Sequence, residues 1–325
     1  MPSSTYFLDQ SESQRRQYID AETVYLAAAQ ASSAASEVRG SMFWRELRGK
    51  PTLIRTSTRG AQKSLGQRSA ETEAIYTHFM ARKSAAEQRQ KALNAQLSTQ
   101  QRLNRALRVG RVPNVVVGVL NALERVGVQD HFMVVGTHAL YAYETAAGVR
   151  IGEEAMATRD VDMLFDTRKR IAFFTAMKKL DSSLIGVLRK VDPSFEVVEG
   201  QLYTARNQDG FEVDIIRRSA KDADPHPLRM SDADDDFWAV QVSMGEKLQS
   251  ARRMDQVVVA TSGDMALMRT VHPLDFARIK KALSQQRGRD PNKSGRDALQ
   301  SRIVTELVET HLPQFSSGIS SRGTD

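Results

Sequence analysis

The sequence predicts an α+β protein: a small mixed β-sheet flanked by helices, with a mainly helical N-terminal region before it and a helical C-terminal subdomain after it. Three observations carry this reading. Residues 114–220 alternate short apolar runs with amphipathic stretches, the pattern of a layered sheet domain. A heptad-spaced stripe runs through residues 79–107. Two helix-length segments follow a turn-punctuated pair of apolar runs near the C-terminus. With 325 residues, 41% of them hydrophobic, the chain can bury a substantial core and form more than one domain. The expected boundaries are 1–112, 113–220, 221–313 and a disordered tail over 314–325.

In chain order, Glu12 to Ser36 is rich in Ala, Gln and Glu and reads as helix. Arg39 to Gly66 is punctuated by Gly40, Gly49, Pro51, Gly60 and Gly66 and reads as a loop-like connection. It carries Arg45, Arg48, Lys50, Arg55, Arg59 and Lys63. A long helix starts after Ser69, an N-cap residue type followed by Glu71 and Glu73. Its stripe is Phe79, Ala86, Leu93, Gln100 and Leu107, widened by Leu97 and Leu103. Such a stripe points to helix packing or a short coiled-coil hairpin, and admits a helical partner protein or a homo-oligomer. Gly110 and Pro113 end it.

Asn114 to Arg125 then reads as an amphipathic helix, Phe132 to Val135 as a strand, and Thr137 to Tyr143 as helix. Val161 to Phe165 and Phe211 to Ile216 read as strands, with a helix from Lys169 to Leu180 between them. An acidic loop follows (Asp232, Asp234, Asp235, Asp236). Its first ligand positions mimic a calcium loop, but Phe237 stands where that loop needs Gly and Ser243 where it needs Glu. Val257–Ala260 and Met265–Val271 form an expected hairpin, followed by helices over Leu274 to Gln286 and Ser294 to Thr310.

The chain has no cysteine, which excludes disulfides, thiolate catalysis and Cys-ligated zinc and agrees with a reducing cytoplasm. No apolar run approaches the ~20 residues that span a bilayer. The polar opening does not read as a signal peptide. A cytoplasmic protein is therefore expected. Charge is unevenly placed. Residues 1–112 hold 18 Lys and Arg against 9 Asp and Glu, and the remainder holds 28 against 30. A basic N-terminal third suits a polyanionic partner such as RNA, or is simply a solvated basic surface.

The chemistry lies in VVGTHAL (134–140), TRDVDML (158–164) and FEVDIIR (211–217). A strand ending in Gly136-Thr137 and entering a helix lets backbone N–H groups approach a phosphate. Asp160 and Asp162, two apart on a strand, point to one face. Asp214 can join them from a neighbouring strand. Three converging carboxylates repel one another, and oxygen-only ligands suit Mg²⁺ or Mn²⁺.

This ordered set resembles the DNA polymerase β-like nucleotidyltransferase superfamily. LGQRSAETEAIYTHF (65–79), GRVP (110–113), VVGTHALYAYETAAGV (134–149), ATRDVDML (157–164) and the segment 272–300 resemble a bacterial group of nucleotidyltransferase-fold proteins, related to the toxin-like and minimal branches of that superfamily. The resemblance implies a nucleotidyltransferase fold and transfer of NMP from an NTP to a hydroxyl, with pyrophosphate leaving. It implies two Mg²⁺ ions (or Mn²⁺) on Asp160, Asp162 and Asp214, with Gly136 and Thr137 on the phosphates. From Gly136 to Asp160 the spacing exceeds the superfamily's usual gap. The extra segment, Glu144 to Ala157, reads as a surface loop or a flexible flap.

Other nucleotide-binding candidates are Arg159, beside the first acid, and Lys280 and Arg287 within a basic cluster that also holds Lys293, Arg296 and Asp297. Lys280 and Arg287 share a face only if the helix reaches Arg287. His138 reads as a local hydrogen-bonding residue rather than a catalyst. The preferred acceptor is RNA or a tRNA end. The alternatives are a small molecule or protein side chain as acceptor, or a non-catalytic nucleotide- or RNA-binding component of a defence or toxin–antitoxin system.

Overall fold

The structure, a computed structural model, describes residues 6–180, 182–221 and 224–316. From residue 317 the expected tail lies outside the described residues, and Pro313–Phe315 form a 3₁₀ turn. The chain divides into two compact units, Arg16–Leu107 and the remainder.

The first strand, β1 (Phe7–Asp9), is part of the larger unit, and the chain enters the smaller one along α1 (Glu12–Glu37). There follow β2 (Ser41–Leu47), β3 (Lys50–Thr56), β4 (Gln62–Gln67) and α2 (Ala70–Ala106). In α1 the buried positions Gln17, Ala21, Tyr25, Ala28, Ala31 and Ala35 recur at helical spacing. Gln17 donates to Gln100 Oε1 (2.7 Å) and Asn104 Oδ1 (3.1 Å), and Gln90 donates to Ser32 Oγ (3.1 Å). The partners run in opposite directions, so the heptad stripe serves an antiparallel helical hairpin. Phe79, Ala86, Leu93, Leu97 and Gln100 are partly covered, whereas Leu103 and Leu107 stay exposed. Ser69 caps α2 as expected, exchanging hydrogen bonds with Thr72 in a capping box.

The loop expected over Arg39 to Gly66 is instead a three-stranded antiparallel sheet in the order β2-β3-β4. Two of its glycines mark its turns, while Gly66 lies within β4. Arg48 (φ 52°) and Gly49 (φ 72°) make the two-residue hairpin link that both positive φ values permit, and Gly60 (φ 82°) lies in the next turn.

The larger unit continues with α3 (Asn114–Arg125), β5 (Phe132–Val135), α4 (Ala139–Ala147), β6 (Val149–Ile151), α5 (Glu153–Met156) and β7 (Asp160–Phe165). Next come α6 (Arg170–Leu180), α7 (Leu184–Arg189), β8 (Glu196–Val198), β9 (Gln201–Arg206) and β10 (Glu212–Arg217). The last elements are β11 (Leu228–Arg229), β12 (Trp238–Gln241), α8 (Gly245–Ser250), β13 (Arg253–Val259), β14 (Met265–Val271), α9 (Pro273–Ser284) and α10 (Pro291–His311). The main sheet is mixed, with the path β11-β12-β10-β7-β5-β14-β13, and β8 and β9 extend from β10. The α+β class and the expected hairpin before the last two helices both hold.

The segment Glu144–Ala157 is neither flap nor surface loop. It finishes α4, turns at Gly148 (φ 66°), pairs β6 with β1, and packs Val149, Ile151, Ala155 and Met156 into the core. Glu144 is itself buried, accepting from the Ile151 N–H at 3.0 Å beside Arg111 at 3.6 Å. The acidic loop is likewise less solvated than its composition suggests. Asp236 is buried and accepts from the Leu184 and Ile185 N–H groups that open α7.

Candidate active site

Central strands of the sheet place the three acids. β7 pairs parallel with β10 so that Asp162 stands opposite Asp214 and Asp160 opposite Glu212. Cross-strand partners share a face, so alternation puts all four carboxylates on the same side. Val161 and Val213, turned the other way, are fully buried. One oxygen from each of Asp160, Asp162 and Asp214 lies within 4.8 Å of the others. Glu212 is outside this group because Arg206 takes its carboxylate at 2.5 Å.

Each acid is held differently. The Thr158 hydroxyl donates to Asp160 Oδ1. The Thr204 hydroxyl, on β9, donates to Asp214 Oδ1 at 2.6 Å. Asp162 is enclosed most deeply. Burial, then the charges of Asp160 and Asp214, pushes its carboxyl up to about 7. Burial and Asp160 also raise Asp214. The site thus carries an electrostatic cost that a bound cation would relieve.

Gly136 is required twice over. It turns the chain from β5 toward α4 with φ 67°, and a Cβ there would lie 2.2 Å from Asp162 Oδ2. The glycine lets the backbone close against the carboxylate. Thr137 is buried, and its hydroxyl accepts from Gln300 Nε2 at 3.1 Å. His138 packs its ring on Tyr141 and Phe211, and burial pushes its pKa down to about 4, leaving it neutral near pH 7.

Facing Asp162 across a cavity of about 380 Å³ are Lys280, Arg289 and Lys293. The cavity's apolar wall includes Met244, Leu248, Phe276 and Ile279. Asp297, 1% exposed, binds Lys280 Nζ at 2.8 Å and Arg289 Nε at 2.5 Å, fixing two cations with one carboxylate. Lys293 is exposed in the first turn of α10 and acts electrostatically on both Asp162 and Asp214.

The structure therefore gathers Gly136, Asp160, Asp162, Asp214 and Lys280. It does not bring in Arg287. Helix α9 ends at Ser284, so Arg287 lies in the following turn, exposed and off the face of Lys280. Arg159 is exposed beside Asp160, and its carbonyl accepts the Glu212 N–H at 2.8 Å. Arg289 and Thr204 are site residues outside the sequence motifs, whereas Lys293 belongs to the basic cluster already named. Asp290-Pro291 ahead of Lys293, a helix-start signature, is the one local sign that Lys293 begins a helix.

One wall of oxygen ligands, one wall of fixed cations and a glycine turn between them suit a hard divalent cation together with a polyphosphate. The chain belongs to a nucleotidyltransferase family: residues 114–321 match it, a span that contains every residue of this site. It is thus an enzyme of the nucleotidyltransferase class, acting on a nucleoside triphosphate. No curated protein and no solved structure matches the chain.

Proposed function

We propose that the chain transfers NMP from an NTP to a hydroxyl of RNA, using two Mg²⁺ (or Mn²⁺) ions held by Asp160, Asp162 and Asp214. The observation that carries this is the convergence of the acidic trio, whose Asp162 faces the cationic wall across one cavity. Bound there, the ions would neutralise phosphate charge and lower the pKa of the acceptor hydroxyl.

The chain's own groups do the rest. The backbone at Gly136 and Thr137 receives the β- and γ-phosphates. Lys280 and Arg289, braced by Asp297, hold the triphosphate opposite the carboxylates, and Lys293 joins them. Thr204 occupies Oδ1 of Asp214, leaving Oδ2 for the acceptor side. The acceptor oxygen bonds to the α-phosphorus and its proton passes to Asp214 Oδ2. The bond from that phosphorus to the bridging oxygen breaks, and pyrophosphate leaves. RNA is favoured as acceptor by the basic excess of residues 1–112.

The test is incubation with each labelled NTP, Mg²⁺ and total RNA. Label entering RNA with the native chain and not with Asp160→Ala is the expected result. No labelled RNA with any NTP would overturn the proposal.

A further inference from the structure

Residues 39–68 contain eight Lys and Arg and a single acid, Glu46, so the whole chain's net charge of +7 is matched by this one stretch. The stretch is the β2-β3-β4 sheet with its turns. One face of that sheet packs on α2: Trp44 meets Tyr76 and the Arg55 guanidinium lies 4.3 Å over Phe79. Arg55 is a structural cation, bound to the Ser41, Thr56 and Arg39 carbonyls. Arg68 pairs with Glu73. The other six cations make no ion pair among the described residues, and all six are exposed.

The register puts Phe43, Arg45 and Lys50 together on the face away from α2, where Phe43 and Arg45 flank the buried β3 residues Ile54 and Thr52, and Gln62, Ser64 and Gln67 of β4 lie on their other side. Phe43 is half-buried, with the Arg45 guanidinium 5.3 Å from its ring centre. Uncompensated cations bind a phosphate backbone. A half-exposed aromatic ring seated on Ile54 beside an arginine and the polar side chains of β4 offers a stacking platform for an unpaired base. An acidic protein would use the cations but leave the aromatic without a role.

From this geometry we infer that the β2-β3-β4 sheet binds single-stranded RNA, with Phe43 stacking a base and Arg45 and Lys50 contacting flanking phosphates. The inference rests on RNA as the acceptor proposed above and assigns the surface that holds it. Arg48, in the tight turn between β2 and β3, and Arg59, in the turn after β3, extend the charge at the edges.

The experiment is fluorescence anisotropy of a labelled 20-nucleotide single-stranded RNA on the full chain, without NTP or divalent cation. The double variant Arg45→Glu/Lys50→Glu should bind at least ~10-fold more weakly and lose about 1.4 from the slope of log affinity against log salt, at ~0.7 per phosphate contact. Phe43→Ala should weaken binding ~10-fold with the salt slope unchanged, as expected for a lost stack. Circular dichroism confirms that both variants fold. Equal binding by the native chain and the double variant would overturn the inference, as would competition by polyglutamate as effective as that by unlabelled RNA. Because no transfer is measured, failure here is distinct from failure of the NMP-transfer reading.

Discussion

Gly136 and Asp162 show how tightly this site constrains single residues. The positive φ of Gly136 disfavours any side chain, and a Cβ at that position, 2.2 Å from Asp162 Oδ2, would displace the carboxylate. Gly136→Ala should therefore lower stability by ~1–2 kcal/mol and cut NMP transfer by at least ~100-fold, because the acid it displaces belongs to the metal site proposed above. Thermal melting and a labelled-NTP assay read the two effects. Asp297 makes a second case. Asp297→Asn leaves Lys280 and Arg289 without their shared counter-charge in a buried setting, so stability should fall by ~3 kcal/mol. Both cations line the cavity opposite Asp162, where the triphosphate is proposed to bind, so KM for NTP should rise ~10-fold while KM for the acceptor stays nearly constant. Equal changes in both would show that Asp297 acts only on the fold. The acidic trio is legible in the sequence because two-residue spacing on a strand encodes a shared face and Gly136-Thr137 encodes the turn. Thr204 and Arg289 are not, since their place depends on distant segments meeting Asp214 and Asp162 in space.

Elements are legible where periodicity is strong and obscure where turn chemistry decides. The α3 and α2 helices and the β13-β14 hairpin follow from apolar spacing. The Arg39–Gly66 segment reads as loop because its glycines are frequent, yet Gly49 and Gly60 stand at hairpin turns and Gly66 lies within β4, among runs such as Met42 to Trp44 that favour strand. Glu144–Ala157 escapes a local reading because its core contacts include β1, more than 130 residues earlier. Burial there has a pH signature. It pushes the Glu144 carboxyl up to about 7, against an ordinary value of 4.5. Between those pH values the folded chain binds a proton that the unfolded chain lacks, so Glu144 costs stability as pH rises through this window, and the loss is complete above about 7. Glu144→Gln is neutral throughout and keeps an acceptor for the Ile151 N–H. Relative to the native chain it should gain about 2–3 kcal/mol between about pH 5 and pH 8, read by urea unfolding at each pH. A constant difference across that range would show that Glu144 is ionised throughout.

At the scale of the whole molecule, the smaller unit is an insertion in the larger one. β1 lies before it, yet pairs with β6 well after it, and Gln14 Nε2 donates to the Arg108 carbonyl at 3.1 Å. The two ends of the insertion are therefore neighbours, and a short flexible linker can join Arg15 to Arg108 without stretching the larger unit. All of the site residues lie in the part that remains. Replacing residues 16–107 by such a linker should preserve a cooperative melt, and Mn²⁺-dependent NTP binding by calorimetry should stay within ~3-fold of the native chain, since no ligand of the cavity is removed. Transfer to RNA should instead fall by at least ~10-fold, because the basic sheet is the RNA surface inferred above and would supply the salt-dependent part of acceptor binding. Undiminished labelling of RNA by the excised chain would assign acceptor recognition to the larger unit and make the basic sheet irrelevant to the reaction.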